Sequence, residues 1–273
     1  MKTIQTEEIT QALRNVGLQE GDIVLTHSDI SRIGLIAEAK SREDILGAYH
    51  RAFCDVLDDS GTLLALACTE SFAREQRPFD TQSSPSEQGV FSEYVRTLPG
   101  TIRSMHPIFS VCANGAKAKE LCHGTSPASF GYDSPFGRLH RLGGKIVCIG
   151  VDLLAMTFVH YIEQSFGVPY YYNKEWTGNI TCKGVPEHSR FFGAVRYLGC
   201  GIDFDFNRLQ RILLEEGLAQ RAPLGHGWVH HVSCNAVFDV VMRELPKDIF
   251  FLLKNPPKSE PWKGARIPGA NQG

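Results

Sequence analysis

The 273-residue chain has no run of eighteen apolar residues and no apolar core in its first segment, MKTIQTEEITQALRNVG. A membrane-spanning helix needs roughly twenty apolar residues, and a secretory signal needs an apolar stretch of about ten. The sequence therefore predicts neither feature, and we expect a cytoplasmic protein without a membrane partner.

The chain also lacks an excess of charge of either sign, since 28 Lys and Arg residues stand against 30 Asp and Glu residues. Because no basic block is present, composition gives no electrostatic reason to expect nucleic-acid binding. Hydrophobic residues make up 42% of the chain and charged residues 21%, which is typical of a globular protein. We expect no nucleic acid as a partner.

Several chemical motifs are absent as well. None of the eight cysteines forms a C-x-x-C pair, and several lie in apolar runs such as ALACTE and IVCIG. Such thiols are typical of reduced, inert core residues, so a catalytic cysteine is the less favoured alternative. The ten histidines are scattered, and His230 and His231 cannot both face one site from a strand, which argues against zinc. Because no G-x-S-x-G sequence occurs, a serine hydrolase is disfavoured too.

What the chain does contain is an alternation of apolar strands and amphipathic helices. Helices are predicted at 4–16, 41–58, 90–96, 116–123, 206–216 and 235–245, and strands at 23–27, 62–68, 108–113, 146–151 and 227–234. Residues 179–183 and 190–198 are predicted antiparallel edge strands. The pattern predicts an α/β fold, a mixed β-sheet sandwiched by helices with a smaller, mostly antiparallel C-terminal sheet portion. We predict a single domain over 1–255 and a loosely ordered C-terminal tail over 256–273.

The predicted strand 146–151 leads into a helix with three polar residues on one face. Thr157, His160 and Glu163 are each three residues apart, so their side chains project from neighbouring turns. An open α/β sheet places reacting groups at the carboxyl ends of its strands, which is where this stripe begins. The alternative is a solvated His–Glu pair without chemistry, because short motifs match often by chance.

A second polar segment follows the predicted strand 23–27. Ser28, Asp29 and Ser31 have side chains that cap backbone donors. A strand that ends in such a loop holds anionic or carbonyl groups through its N–H donors. The signal is weak when it stands alone.

Five motifs follow one another along most of the chain. They are GDIVLTHSDIS at 21–31, GTL at 61–63 with PFD at 78–80, LPGTIRSMHPIFSV at 98–111, the Ser-Pro turn at 132–135, and TFVHYIE at 157–163. Together they resemble the aminoglycoside 3-N-acetyltransferase family, whose members transfer an acetyl group from acetyl-CoA to an amine. The resemblance implies an α/β sandwich that binds acyl-CoA in a cleft, direct attack in a ternary complex, no metal, and a monomer or a homodimer.

The resemblance also implies roles for the matching residues. His160 is the expected general base, because an amine that attacks a thioester must lose a proton and a neutral imidazole accepts it near pH 7. Glu163 either orients His160 or contacts the acceptor amine, and Thr157 donates to the thioester carbonyl. The expected cofactor-binding residues are His27, Ser28, Asp29, Ile30, Ser31, Arg103, Ser104 and Ser110.

Two of these roles have structural alternatives. A helical threonine often bonds back to its own backbone, so Thr157 has a purely local alternative. Arg103 is expected to pair with a CoA phosphate, and the alternative is a buried structural salt bridge.

The chain departs from the family in the region where the third catalytic acid of the family is expected. This region follows the predicted helix that carries His160 and Glu163. This region reads FFGAVRYLGCGIDFDFN and offers only Asp203 and Asp205. We take Asp203 as the candidate that completes the catalytic set, and the alternatives are Asp205 and the absence of this role from the chain.

The second departure concerns the acceptor. Polycationic acceptors favour acidic walls, whereas this chain is nearly neutral. Its predicted acceptor side is aromatic, and aromatic faces suit sugars or nucleotide bases. The residues concerned are Tyr170, Tyr171, Tyr172, Phe191 and Phe192. We expect an amino sugar, free or nucleotide-linked, as the acceptor. The alternatives are an aminoglycoside antibiotic, as in a resistance enzyme, and a catalytically inactive CoA-binding relative.

Overall fold

A computed structural model of the protein describes residues 3–182 and 184–263. The helices of this part are α1 (Thr6–Asn15), α2 (Arg42–Leu57), α3 (Ser71–Glu75), α4 (Val90–Thr97), α5 (Ala118–Cys122), α6 (Pro135–Arg141), α7 (Phe158–Phe166), α8 (Asn207–Glu215) and α9 (Cys234–Glu244). The strands are β1 (Thr3–Ile4), β2 (Ile23–Ser28), β3 (Leu35–Ile36), β4 (Thr62–Leu66), β5 (Phe79–Asp80), β6 (Ile102–Arg103), β7 (Val111–Gly115), β8 (Lys145–Ile149), β9 (Tyr171–Cys182), β10 (Val185–Arg196), β11 (Ala219–Leu224) and β12 (Gly227–Ser233). None of the described helices has the length and apolar character needed to cross a membrane.

Seven strands form one mixed sheet in the order β11-β12-β8-β2-β4-β7-β6. Its central strands β8, β2 and β4 are parallel, and the pairing turns antiparallel on both sides. These central strands are buried on both faces, which explains why they are continuous runs of Val, Ile and Leu rather than alternating sequences. The sheet confirms the predicted α/β class.

The two faces of this sheet carry separate hydrophobic cores. Neighbouring residues of β2 point to opposite faces, so Leu25 packs with α5 to α9 while Val24 packs with α1, α2 and α4. The helices therefore enclose the sheet from both sides, as the sequence predicts. The carboxyl ends of β2, β4 and β8 meet at one edge of the sandwich, where the loop at 28–31 follows β2 and the chain toward α7 follows β8.

A second sheet has the order β10-β9-β5. β9 and β10 form an antiparallel hairpin of twelve residues each, and β5 adds two residues in parallel. This sheet confirms the smaller, mostly antiparallel portion, although its strands are longer than predicted. The polar residues at 173–175 are exposed and hide the alternation that would have revealed the start of β9.

Two other elements differ from prediction. The strand expected at 108–113 begins only at Val111, because the preceding residues form a turn in which the N–H of Phe109 donates to Nδ1 of His106 at 3.2 Å. Strand β11, AQRAPL, was not predicted because it has no β-branched residue and contains Pro223. Proline is tolerated there because β11 is an edge strand.

The segment between β8 and α7 is divided rather than continuously helical. A 3-10 turn at Leu153–Ala155 precedes α7, which begins at Phe158. At the end of β8, Gly150 has φ of 69°, and a Cβ atom there would lie 2.2 Å from the carbonyl oxygen of Asp29. Only glycine fits, so the loops after β2 and β8 are in direct contact.

The predicted tail, 256–273, is described only as far as residue 263, and 264–273 lie outside the described residues. The N–H of Lys258 donates to the carbonyl of Cys200 at 2.8 Å. The ring centroids of Trp262 and Tyr197 are 5.9 Å apart. The first part of the tail therefore rests on the segment that follows β10.

Candidate active site

Side chains from α7 and the start of β9 form a hydrogen-bonded cluster around Glu163, which is fully buried. Nδ1 of His160 lies 2.7 Å from Oε2 of Glu163. The hydroxyl of Tyr171 donates to the same oxygen at 2.6 Å, and that of Tyr170 donates to Oε1 at 2.7 Å. Helix α7 ends at Gly167 in the left-handed conformation, which turns the chain back so that β9 starts beside the helix.

The imidazole of His160 has one nitrogen inside this cluster and one outside it. Its side chain is 24% exposed, and Nε2 makes no hydrogen bond to any described residue. Because Nδ1 faces a carboxylate, Nδ1 carries the proton of the neutral ring and Nε2 keeps a free lone pair. An imidazole held in this way accepts a proton from a group that approaches Nε2.

Four aromatic rings surround this imidazole. The centroid of Phe204 lies 4.9 Å from that of His160, and those of Phe130, Phe206 and Tyr171 lie 5.9, 6.1 and 6.3 Å away. The rings limit water around Nε2 and give the site apolar walls. No sequence motif marked Phe130, Phe204 or Phe206, because they come from separate segments that only the fold brings together.

Thr157 stands at the N-cap of α7, directly before its first turn. Its carbonyl accepts the N–H of His160 at 3.1 Å, and its hydroxyl does not cap the helix. The side chain is half-buried. Of the predicted stripe, His160 and Glu163 therefore lie within α7, and Thr157 precedes it.

Asp203 is not part of the His160 cluster. It is exposed, and its backbone carbonyl accepts the N–H of Lys254. Asp205 uses its carboxylate to accept the N–H and side-chain amide of Asn207 at 2.9 and 2.6 Å. Among the contacts of the described residues, Phe204 approaches the imidazole of His160 and neither aspartate does.

The loop after β2 lies beside the chain that leads to α7. The N–H of Asp29 donates to the carbonyl of Ile149, the last residue of β8. Oγ of Ser31 donates to the Asp29 carboxylate at 2.5 Å, and this bond holds the pKa of Asp29 below its usual value. Ser28 is half-buried, whereas Ile30 packs toward the core formed by α1, α2 and α4.

Arg103, Ser104 and Ser110 form a separate, buried network between β4, β6 and β7. Arg103 donates to Oγ of Ser110 at 3.1 Å, to Oγ1 of Thr69 at 2.8 Å, and to the carbonyls of Ala67 and Ser84. All these partners are neutral, so the alternative of a buried salt bridge is wrong for this residue. Burial lowers the pKa of Arg103 to about 10, which leaves it charged at neutral pH.

The predicted aromatic acceptor side is only partly exposed. Tyr170 and Phe191 are buried, so neither lines an open surface. Tyr172 packs on Tyr197 with centroids 4.9 Å apart, and Phe192 is 37% exposed. Of the five predicted residues, Tyr171 is the one that touches His160.

The eight cysteines are free, and six of them are buried. Burial raises the pKa of Cys68 and of Cys112 to about 12, so both stay protonated. Among residues 3–182 and 184–263, no group of three or more His, Cys, Asp or Glu side chains is arranged to hold a metal ion.

Lowering the pH from 7 to 5.5 is expected to destabilise the protein through two buried histidines. Burial lowers the pKa of His27 and of His106 to about 4. A histidine of the unfolded chain titrates near 6.5, so the unfolded state binds protons first and stability falls as the pH drops from 6.5 toward 4. Urea unfolding at the two pH values is expected to show a loss of about 1 kcal/mol per histidine.

The His27→Gln variant provides the check. It is expected to lose about 1 kcal/mol of the pH dependence, because His106 and the other histidines whose pKa burial lowers, His50, His140, His230 and His231, still contribute. An unchanged dependence would mean that the pKa of His27 in the folded protein is close to that of a histidine in the unfolded chain.

The chain is similar to known proteins in sequence and in structure. The family model for aminoglycoside 3-N-acetyltransferase matches residues 25–246. Aminoglycoside N(3)-acetyltransferase III from Salmonella sp. is 29% identical over 189 residues, which are 62% of this chain and 62% of that protein. The match therefore spans less than two thirds of this curated relative.

Two solved structures have the same fold. AAC-IIIb in a binary complex with CoASH has a TM-score of 0.75 and 24% identity, covering 93% of this chain and 100% of that chain. AAC-VIa bound to sisomicin has a TM-score of 0.77 and 22% identity, covering 90% and 98%. The five sequence motifs and the family match lead to one conclusion: the chain belongs to the aminoglycoside 3-N-acetyltransferase family.

Proposed function

We propose that the protein is an N-acetyltransferase that moves the acetyl group of acetyl-CoA to an amine of an amino sugar. The observation that carries the proposal is the His160–Glu163 pair, in which a buried carboxylate orients an imidazole whose Nε2 is open. The name of the curated relative, an aminoglycoside N(3)-acetyltransferase, supports the reaction. The CoASH complex of AAC-IIIb supports the co-substrate.

In this reaction the neutral amine attacks the thioester carbonyl carbon directly. The new C–N bond forms, the amine proton passes to Nε2 of His160, and the C–S bond breaks. The CoA thiolate then takes that proton from the imidazolium and leaves as the free thiol. Glu163 stabilises the imidazolium because its carboxylate faces Nδ1 at 2.7 Å. A positioned base of this kind contributes roughly 10²- to 10⁴-fold in rate.

Thr157 and the loop at 28–31 are the groups we assign to acyl-CoA. The half-buried hydroxyl of Thr157 does not cap α7, so it is available to donate to the carbonyl oxygen as negative charge develops. The hydroxyls and N–H groups of the loop suit the polar pantetheine chain. Arg32 is 69% exposed and pairs with Asp29, which offsets the charge that would otherwise repel a phosphate. We leave Arg103, Ser104 and Ser110 out of the site, since their polar groups bond within the core.

The surroundings of His160 favour an acceptor with few positive charges. Aromatic rings form its walls, and both oxygens of Glu163 already accept hydrogen bonds. Aromatic walls suit the apolar face of a sugar ring or a nucleotide base. We therefore place a free or nucleotide-linked amino sugar first among acceptors. The printed name of the relative and the sisomicin complex of AAC-VIa favour an aminoglycoside as the second candidate.

The test is the release of free thiol from acetyl-CoA with a panel of amines. The panel contains free amino sugars, nucleotide-linked amino sugars, and aminoglycosides of the kanamycin and gentamicin types. Turnover of the sugar amines alone supports a biosynthetic enzyme, whereas efficient turnover of the antibiotics identifies a resistance enzyme. No thiol release, together with no binding of CoA by calorimetry, would disprove the transferase. We assign the activity to the domain over 1–255, acting in the cytoplasm as a monomer or a homodimer.

A further inference from the structure

The buried carboxylate of Glu163 has three hydrogen-bond partners, not one. His160 faces Oε2, Tyr171 donates to Oε2, and Tyr170 donates to Oε1. Burial and the charge of Glu163 raise the pKa of both phenols far above its ordinary value, so both stay protonated and act as donors. Such charge-assisted bonds spread the negative charge of the carboxylate over its partners.

The hydroxyl of Tyr171 lies between the carboxylate and the imidazole. Its oxygen is 2.6 Å from Oε2 of Glu163 and 2.9 Å from Nδ1 of His160. Because the phenolic proton points to the carboxylate, a lone pair of the phenol oxygen faces Nδ1. The N–H at Nδ1 therefore has two acceptors, and the opposite tautomer would place the Nδ1 lone pair against both oxygens. This arrangement fixes the proton on Nδ1 and leaves Nε2 free.

The hydroxyl of Tyr171 also limits how strongly the Glu163 carboxylate favours a second proton on the imidazole of His160. An unshielded buried carboxylate beside an imidazole favours the imidazolium, which is not a base. Each donor to the carboxylate weakens that attraction. The other charged groups that face the tyrosines are Arg196 of β10, near Tyr171, and Asp248, near Tyr170. Glu163 is the one carboxylate on α7 itself.

We infer that Tyr171 is a positioning residue that keeps His160 neutral, with Nε2 unprotonated, at the pH of the cell. The inference rests on the proposed role of His160 as the base. It gives Tyr171 a function in the hydrogen-bonded cluster around Glu163 rather than on the predicted aromatic acceptor side.

The test is an NMR titration of the His160 imidazole in wild-type protein and in the Tyr171→Phe variant. The signal is identified by its absence in His160→Ala. Loss of one donor to the carboxylate is expected to raise the titration midpoint by about one pH unit. If the transferase reaction is found, the acid limb of its kcat/KM profile moves by the same amount, and activity recovers at higher pH. A residue that only supports the fold would lower activity equally at all pH values.

Tyr172→Phe is the matched control. It makes the same change at the next residue, whose ring packs on Tyr197 and whose hydroxyl has no bond to Glu163 among the described contacts. Its midpoint is expected to equal that of the wild type. An equal midpoint in Tyr171→Phe would overturn the inference.

A second measurement, on the wild-type protein, tests the inference if the Tyr171→Phe variant does not fold. The ¹⁵N shifts of wild-type His160 are expected to show a protonated Nδ1 and a free Nε2, and the reverse tautomer would overturn the inference. Neither measurement needs acetyl-CoA or an acceptor. The role of Tyr171 can therefore be tested even if no transferase activity is found, and either hypothesis can fail without the other.

Discussion

Replacing His160 with alanine is expected to lower kcat by about 10²- to 10⁴-fold while acetyl-CoA still binds. The imidazole is the open end of the cluster, and Nε2 is its free nitrogen. Without it, the attacking amine has no positioned acceptor for its proton. The residual rate comes from bringing the two substrates together, which the variant still does. Thiol release gives kcat, and calorimetric titration with CoA gives the affinity.

His188→Ala is the matched control, because His188 lies on the exposed hairpin and contacts Asn179 there. It is expected to keep wild-type turnover. If His160→Ala keeps wild-type turnover too, His160 is not the base and the proposed mechanism is wrong. If the wild-type protein binds CoA but turns over no amine, the chain is the inactive CoA-binding relative that the sequence left open.

Local sequence was sufficient to predict the parts of the site that lie on one element. His160 and Glu163 are three residues apart and lie on neighbouring turns of α7, as helical geometry predicts, while Thr157 stands at the N-cap. The strand predicted at 146–151 is present as β8, which ends two residues earlier, and it was predictable because buried parallel strands are continuous apolar runs. The loop at 28–31 followed from its capping residues.

The contacts between elements were not predictable from one sequence. Tyr170 and Tyr171 follow α7 directly, but their bonds to Glu163 depend on the reversal at Gly167. Phe130 and Phe204 reach His160 from segments that precede and follow it, so no spacing rule connects them. Asp203 is exposed, and the side chain of this segment that contacts the imidazole is Phe204, a choice set by tertiary packing rather than by a local pattern.

Arg103 shows the same limit for a charged residue. A conspicuous arginine next to Ser104 and His106 suggested a ligand phosphate, because sequence does not show which side of the sheet a side chain enters. In the structure its guanidinium points into the sandwich and lies 4.6 Å above the ring of Phe79. The charge is held by backbone carbonyls and hydroxyls rather than by an anion.

Replacing Arg103 with methionine is expected to lower the free energy of unfolding by about 3 kcal/mol. Methionine fills a similar volume but donates nothing, so the buried bonds to Ser110, Thr69, Ala67 and Ser84 are lost together. These bonds tie β4 and β6 to the loop before α4, and hydrogen bonds from charged donors are the stronger kind. Urea unfolding at neutral pH measures the change.

Arg190→Met is the matched control, since Arg190 is 65% exposed and pairs with Glu175 on the hairpin surface. An exposed ion pair contributes about 0–1 kcal/mol, so this variant is expected to stay near wild-type stability. CoA affinity, measured well below the melting temperature, then separates the two roles of Arg103. Lost stability with unchanged affinity identifies a structural arginine, because the folded fraction still has its complete binding loop. Unchanged stability with weakened affinity would instead identify Arg103 as the phosphate contact that the family resemblance implies.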